Sequence, residues 1–252
     1  MFNINKNNTL EVLQQLVENN ISQKLSYMPE SFNEQQKGAI ELFRKRIFLE
    51  KIVDESIAFN KKIIFPNENK NIHLATTAES LVEVFKLRSD VYSSLNYQDE
   101  FPDTIEGLNF DKYDSNAAIL FYKVDKQITG TTRLIFDSTN KLPSEDKFSF
   151  NNQRDKYNTI GELSRLIVRK NTKGLGLEFK NIMGGIYHIF INNDIDITFL
   201  AIIKEHYKLY TKFGGSEIIF NSDNYGNLGH PVYILSWDPS KVSPFFKKAF
   251  LK

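Results

Sequence analysis

Residues 159–178 read TIGELSRLIVRKNTKGLGLE, and the fold turns on this stretch. Thr159–Arg169 reads as a strand, and Gly176–Asn192 reads as a helix. The turn joining them, Arg169-Lys170-Asn171-Thr172-Lys173-Gly174-Leu175-Gly176, is basic and glycine-rich. Glycines let a backbone approach a ligand closely, and a helix start offers free N–H groups to anions. Together they predict a pyrophosphate cradle. It is not of the Walker type, because no Gly-Lys-Ser/Thr follows four free positions. The strand is unusual in its own right, since Glu162, Ser164 and Arg165 interrupt an otherwise apolar central run. Each needs a partner there. Period-two alternation groups Glu162 with Ser164, and Arg165 with Leu163 and Ile167. Ser164 is not read as a nucleophile, because neither a Gly-x-Ser-x-Gly elbow nor a triad accompanies it.

Upstream of this stretch, Ile72–Thr76 reads as a short strand and Glu79–Leu95 as an amphipathic helix. A hairpin follows, Ala117–Val124 and Ile128–Phe136 about a turn at Asp125-Lys126, then a connector at Leu142–Phe148. Downstream come a strand at Ile197–Ile203, a helix at Glu205–Phe213, and closing strands at Ser216–Ile219 and Val232–Trp237. Residues 8–62 read as helical: Thr9 caps a first helix carrying Leu10, Leu13 and Val17, and a longer one runs from about Asn33 to Lys62. A turn-like linker at Phe65–Asn69 suggests an arm over residues 1–68 and a main domain over 69–252.

Three further places carry charge that bears on function, although an Asp-rich loop such as that at Asp111 and Asp114 is more often a solvated turn. Arg88 is flanked at helical spacing by Val84, Phe85, Val91 and Tyr92, so it sits within the buried stripe of its helix. A guanidinium there must meet a carboxylate or an anionic ligand, as a structural ion pair or as a substrate clamp. Asp111 and Asp114 lie three residues apart just before the hairpin, and Arg133 stands mid-strand beside Thr131 and Ile135.

The bulk numbers exclude several chemistries. With 32 Lys and Arg against 31 Asp and Glu, the net charge of +1 gives no reason to expect nucleic acid or an anionic membrane. The absence of cysteine removes thiolate nucleophiles, disulfides and Cys-type zinc sites, and fits a cytoplasmic location. His73, His188, His206 and His230 are scattered, so no metal site is expected. The N-terminus shows no secretory signal, and the apolar runs are too short to span a bilayer. The 21 Phe and 11 Tyr are assigned to core packing by default, with an acyl tunnel as the alternative.

In this order the pieces resemble a GNAT-type acyltransferase, and more narrowly the branch of acyl-homoserine-lactone (autoinducer) synthases and long-chain N-acyl amino acid synthases. The matching features are Arg88 with Tyr92 four residues on, Asp111-x-x-Asp114, Arg133 in Gly-x-x-Arg-Leu, and Glu162-x-Ser164-Arg165. The resemblance covers about Ile72 to Trp237 and implies an α/β fold. That fold is a mixed, mostly antiparallel central sheet flanked by helices, here with an N-terminal helical extension. It implies an N-acyltransferase taking acyl-CoA or an acylated carrier protein as donor and a small-molecule amine as acceptor. The acceptor implied first is S-adenosylmethionine, with an ordinary amino acid as the alternative. Glu162, Ser164 and Arg165 would be catalytic, with Glu162 as base, while Arg88, Tyr92, Asp111, Asp114 and Arg133 would shape the acceptor pocket. Val168, Arg169, Lys170, Lys173, Gly174, Leu175 and Gly176 would hold the donor. Two positions depart from the pattern: Tyr97 stands where autoinducer synthases carry Trp, and Asn171 where the pyrophosphate motif carries Gln or Arg. A ligand-binding sensor on the same fold is the reading from another class.

Overall fold

The computed structural model describes residues 11, 12, 15, 18, 19, 30–66, 69–169, 176–223 and 225–251. The cap at Thr9 and the stripe of Leu10, Leu13 and Val17 lie outside these residues. The chain forms two compact units, Met1–Lys51 and Ile52–Lys252. Their boundary falls inside the long helix α1 (Glu30–Asn60). In the first unit Arg44 pairs with Glu18 at 2.7 Å, and Lys45–Glu41 and Arg46–Glu50 are i,i+4 pairs on α1.

The second unit is built on one seven-stranded sheet ordered β1-β2-β3-β4-β5-β7-β6. Its strands are β1 (Ile72–Leu74), β2 (Ala117–Val124), β3 (Gln127–Phe136), β4 (Ile160–Val168), β5 (Ile197–Ile203), β6 (Ser216–Ser222) and β7 (Val232–Trp237). Every neighbouring pair is antiparallel except β4 and β5. The β2–β3 hairpin turns at Asp125 (φ 49°) and Lys126 (φ 69°). Two consecutive positive φ values match the right-handed twist of the flanking strands, which explains so short a connection.

The two faces of the sheet carry different chemistry. On one, Leu120, Leu134, Leu163, Leu200 and Leu235 pack with Ile182, Met183, Ile186 and Phe190 of helix α3 (Leu177–Asn192). The approach is close at Gly185, where a Cβ would lie 2.6 Å from a Leu120 methyl. Trp237, Phe213 and Phe246 extend this core to helices α4 (Tyr207–Phe213) and α5 (Pro244–Phe250). Much of the aromatic content therefore serves packing. Helix α5 was absent from the sequence-based expectation, although Ser243-Pro244 is a standard helix start and the Ser243 hydroxyl accepts from Phe246 N–H.

On the opposite face lies α2 (Ala78–Ser94), which starts at a Thr77/Ser80 capping box and buries Leu81, Val84, Phe85, Arg88 and Tyr92. The end of α1 is tied to this region by hydrogen bonds rather than by apolar contact alone. Asn60 donates to the Ala117 carbonyl at 3.0 Å and accepts from Ile119 N–H at 2.9 Å, and Ser56 donates to the Asp114 carbonyl.

Candidate active site

Strand β4 pairs in parallel with β5 only from Ile160 to Leu163, opposite Ile197 to Leu200. Beyond those residues the two strands continue without pairing to each other, so the middle of the sheet opens into a notch. At the same point β4 is bulged against β3: Thr131 pairs with Ile167 and Arg133 with Ser164, so Arg165 and Leu166 together oppose Thr132. Arg165 adopts φ 55°, a left-handed conformation that favours glycine. This corrects the alternation expected from the sequence. The bulge places Arg165 on the same side as Glu162 and Ser164, whereas Leu166 and Val168 join Leu163 against the core.

On that side a lattice of charge is assembled from four segments. Arg133 of β3 donates to both oxygens of Asp111, at 2.6 and 2.8 Å, and to the Ser164 hydroxyl at 3.0 Å. Arg165 donates to Asp111 at 3.1 Å, with its guanidinium 4.4 Å from the Phe101 ring centre and 5.3 Å from that of Tyr92. Arg88 donates to Asp114 at 2.8 Å, and Asp114 also lies 3.0 Å from Arg133. The two carboxylates are aligned by a one-turn 3-10 helix, Lys112–Asn116: Asp111 accepts from Tyr113 N–H and Asp114 from Asp111 N–H. The three-residue spacing of the acidic pair is thus a reciprocal cap that leaves each carboxylate an edge for arginine.

The electrostatics follow from burial and pairing. For Asp111, burial alone would raise the pKa, but Arg133 and Arg165 override it and hold the carboxyl far below the usual range. Burial lowers Arg88, with Asp114 opposing, and its Nε and Nη2 have no hydrogen-bond partner among the described residues. Three guanidinium groups face two aspartates, a local excess of positive charge.

Glu162 stands apart from this lattice. It is 3% exposed, and its two oxygens accept from the amide (2.9 Å) and hydroxyl (3.0 Å) of Ser144. Burial pushes its carboxyl up to about 7, opposed by those two hydrogen bonds and by Arg133. Ser144 lies in a 3-10 turn, Pro143–Asp146, within the segment read only as a connector. Neither it nor Phe101 carried a sequence signal, because both meet their partners through tertiary contact alone.

The expected acceptor residues Arg88, Tyr92, Asp111, Asp114 and Arg133 therefore converge with Glu162, Ser164 and Arg165. Ser164 accepts from a guanidinium, in keeping with its not being a nucleophile. Of the expected donor residues, Lys170, Lys173, Gly174 and Leu175 lie outside the described residues. Arg169 is paired with Asp90 at 2.6 Å, Val168 packs against the core, and Gly176 precedes α3 with its carbonyl accepting from Lys180 N–H. Among the described residues there is no cluster fit to hold a metal, and no helix is long and apolar enough to cross a membrane.

A mostly antiparallel sheet opened between its one parallel pair, with a buried carboxylate beside the notch, is the fold expected of a GNAT-type acyltransferase. Similar solved structures bear out the fold. FeeM, an N-acyl amino acid synthase from uncultured soil microbes, is 14% identical, with a TM-score of 0.53 over 71% of this chain and 99% of that one. The acyl-homoserine-lactone synthase LasI is 17% identical, with a TM-score of 0.54 over 71% of this chain and 93% of that one. BjaI, a CoA-dependent acyl-homoserine-lactone synthase solved with S-adenosylmethionine and isopentyl-CoA, is 14% identical, with a TM-score of 0.53 over 69% and 81%. Among curated protein sequences none matches. The family model described as N-acyl amino acid synthase FeeM matches residues 83–238, and the chain belongs to that family of acyltransferases.

Proposed function

We propose that the chain moves an acyl group from a pantetheine thioester to the amine of an amino-acid-type acceptor, with Glu162 as the base. The observation that carries this reading is a buried carboxyl, titrating near neutrality and outside the ion-pair lattice, beside the open notch of the sheet. An amine must lose its proton to attack, and a base is most effective when its pKa lies near the working pH. Glu162 accepts that proton, directly or through water, the nitrogen attacks the thioester carbonyl, and the C–N bond forms. The C–S bond then breaks, and the departing thiolate takes up a proton. Where β4 and β5 diverge, backbone N–H groups are available to stabilise the carbonyl oxygen as it gains negative charge.

The excess of positive charge in the Arg88, Arg133 and Arg165 lattice favours an acceptor that brings a carboxylate. S-adenosylmethionine carries the same α-carboxylate, so it is the match to the N-acyl amino acid synthase family that supports an ordinary amino acid as acceptor. Arg165, flanked by Tyr92 and Phe101, is the guanidinium we propose to face that carboxylate. Asp111, Asp114, Arg133 and Arg88 hold it in place, and Ser164 completes the hold on Arg133. For the donor, the sequence pattern of Val168, Arg169, Lys170, Lys173, Gly174, Leu175 and Gly176 supports phosphate binding, with Arg169 released from Asp90. Coenzyme A and an acyl carrier protein share that phosphopantetheine chemistry. The second reading, transfer to S-adenosylmethionine, is supported by the pattern of Arg88, Asp111, Asp114, Arg133, Glu162 and Arg165.

Thiol release tests the proposal with no background from the protein, which has no cysteine. Acyl-CoA and acylated carrier protein would be offered with amino acids, with S-adenosylmethionine, and without acceptor. Release dependent on an amino acid, and lost in Glu162→Gln at unchanged thermal stability, is expected. Release dependent on S-adenosylmethionine alone selects the second reading. Donor binding without release under every condition selects a sensor.

A further inference from the structure

The carboxylate at the centre of the site owes its setting to one residue on a different segment. Among the described residues, both hydrogen bonds to the Glu162 carboxylate come from Ser144, whose amide donates to one oxygen and whose hydroxyl donates to the other. No guanidinium donates to Glu162: Arg133, the cation that faces it, spends its donors on Asp111, Asp114 and Ser164. We infer that Ser144 is the positioning residue that orients Glu162 and sets how readily it takes a proton, an assignment that rests on Glu162 being the base.

Ser144 is itself fixed from several directions. Its carbonyl accepts from Lys147 N–H and Phe148 N–H, closing the 3-10 turn. Next to it, Glu145 accepts from Leu142 N–H at 2.9 Å and from Arg154 Nη1 at 2.6 Å, and Arg154 also binds Asp137. Lys147 pairs with Glu100 at 2.5 Å and lies 3.7 Å above the Tyr225 ring, while Phe148 stacks on Phe220 at 4.8 Å. So rigid a turn would be unnecessary for a serine that only satisfied a buried polar group. It is what a hydrogen-bond donor needs if it is to hold a reacting carboxylate within a few tenths of an ångström.

The groups that face Glu162 divide in their effect. Arg133 from β3 and the two Ser144 donors favour the ionised form, whereas Glu145 from the same turn opposes it. The phenols of Tyr113, before β2, and Tyr225, after β6, stay neutral, both raised to about 12 chiefly by burial. The Ser144 hydroxyl is a direct hydrogen-bond donor to Glu162 that can be deleted without removing a charge or moving the backbone.

The experiment uses the full chain and its Ser144→Ala, Ser144→Thr and Glu162→Gln variants. Two readouts are taken: the pH dependence of thiol release at low acceptor concentration, and the titration of the buried carboxyl by infrared difference spectroscopy. Loss of one hydrogen bond to a carboxylate is expected to raise the acid limb by about one pH unit. Near pH 7 this is roughly a fivefold loss of rate in Ser144→Ala that disappears above pH 9, with Ser144→Thr keeping the wild-type limb. An unshifted limb, with a loss equal at every pH, overturns the inference. An infrared titration unmoved in Ser144→Ala overturns it whatever Glu162→Gln does. An active Glu162→Gln enzyme overturns the assignment of the base, and the infrared titration still reports Ser144's hold on the carboxyl.

Discussion

Arg133 and Asp111 face each other with two parallel hydrogen bonds, Nη1 to Oδ1 at 2.6 Å and Nη2 to Oδ2 at 2.8 Å. The pair joins β3, the second strand of the hairpin, to the turn preceding that hairpin. The guanidinium is 2% exposed, so removing its partner leaves an uncompensated charge out of water. Asp111→Asn is expected to cost about 3 kcal/mol of folding stability, measured by urea denaturation. Arg133→Lys should not behave as a conservative change, because an ammonium cannot engage both oxygens and Ser164 at once. Equal midpoints for Arg133→Lys and the parent chain would mean that the fork geometry contributes nothing.

Half-buried Asp111 and buried Glu162 predict opposite dependences of stability on pH. Asp111 is held below its ordinary value of 3.8, so the unfolded chain binds its proton more readily than the folded one. Its contribution is complete above that value and is lost as the pH falls below it. Glu162 is raised from 4.5 to about 7, so the folded state keeps its proton longer. That contribution is present below 4.5 and disappears as the pH rises through about 7. Thermal melts from pH 3 to 8 should therefore lose their neutral-side decline in Glu162→Gln and their acid-side decline in Asp111→Asn. Unchanged slopes in both variants would show that other groups govern the profile.

Arg88 separates a structural role from a binding one. It is fully buried and pairs with Asp114, which it shares with Arg133. Arg88→Met is expected to lower stability by about 2 to 3 kcal/mol, since Asp114 loses one of the two guanidinium groups that face it and keeps Arg133 and the Asp111 amide. Among molecules that remain folded, KM for the acceptor should change less than twofold. A tenfold rise in KM at unchanged melting temperature would instead put Arg88 in contact with substrate.

The sequence was informative where periodicity or an unusual buried charge recorded the physics locally. The hairpin Ala117–Phe136, strand β7 and helix α3 are patterns of apolar spacing, and their bounds were readable within a residue or two. Arg88 within an apolar helical stripe demanded a partner, and Asp114 supplies it. Alternation failed at Arg165, because a bulge adds a residue to one strand only and shifts the phase of everything after it. Ser144 was invisible for a different reason: its bond to Glu162 joins residues 18 apart, through a turn whose own sequence specifies nothing about Glu162.

The bulge at Arg165 permits a test that divides backbone from side chain. A non-glycine residue at φ 55° costs about 1 kcal/mol relative to glycine, and here the cost is met so that the guanidinium can leave the core face and reach Asp111. Arg165→Gly relieves the backbone and deletes the side chain. Arg165→Met deletes the charge, keeps most of the bulk and keeps the strain. If the left-handed residue exists to aim the guanidinium, Arg165→Gly should be the more stable of the two by about 1 kcal/mol, and both should lose acceptor-dependent thiol release alike. Arg165→Lys should bind Asp111 without stacking on Phe101 and Tyr92, and so should recover stability before it recovers turnover. Crossed results, with Arg165→Met more stable than Arg165→Gly, would mean that packing of the side-chain stem against those rings outweighs the backbone strain.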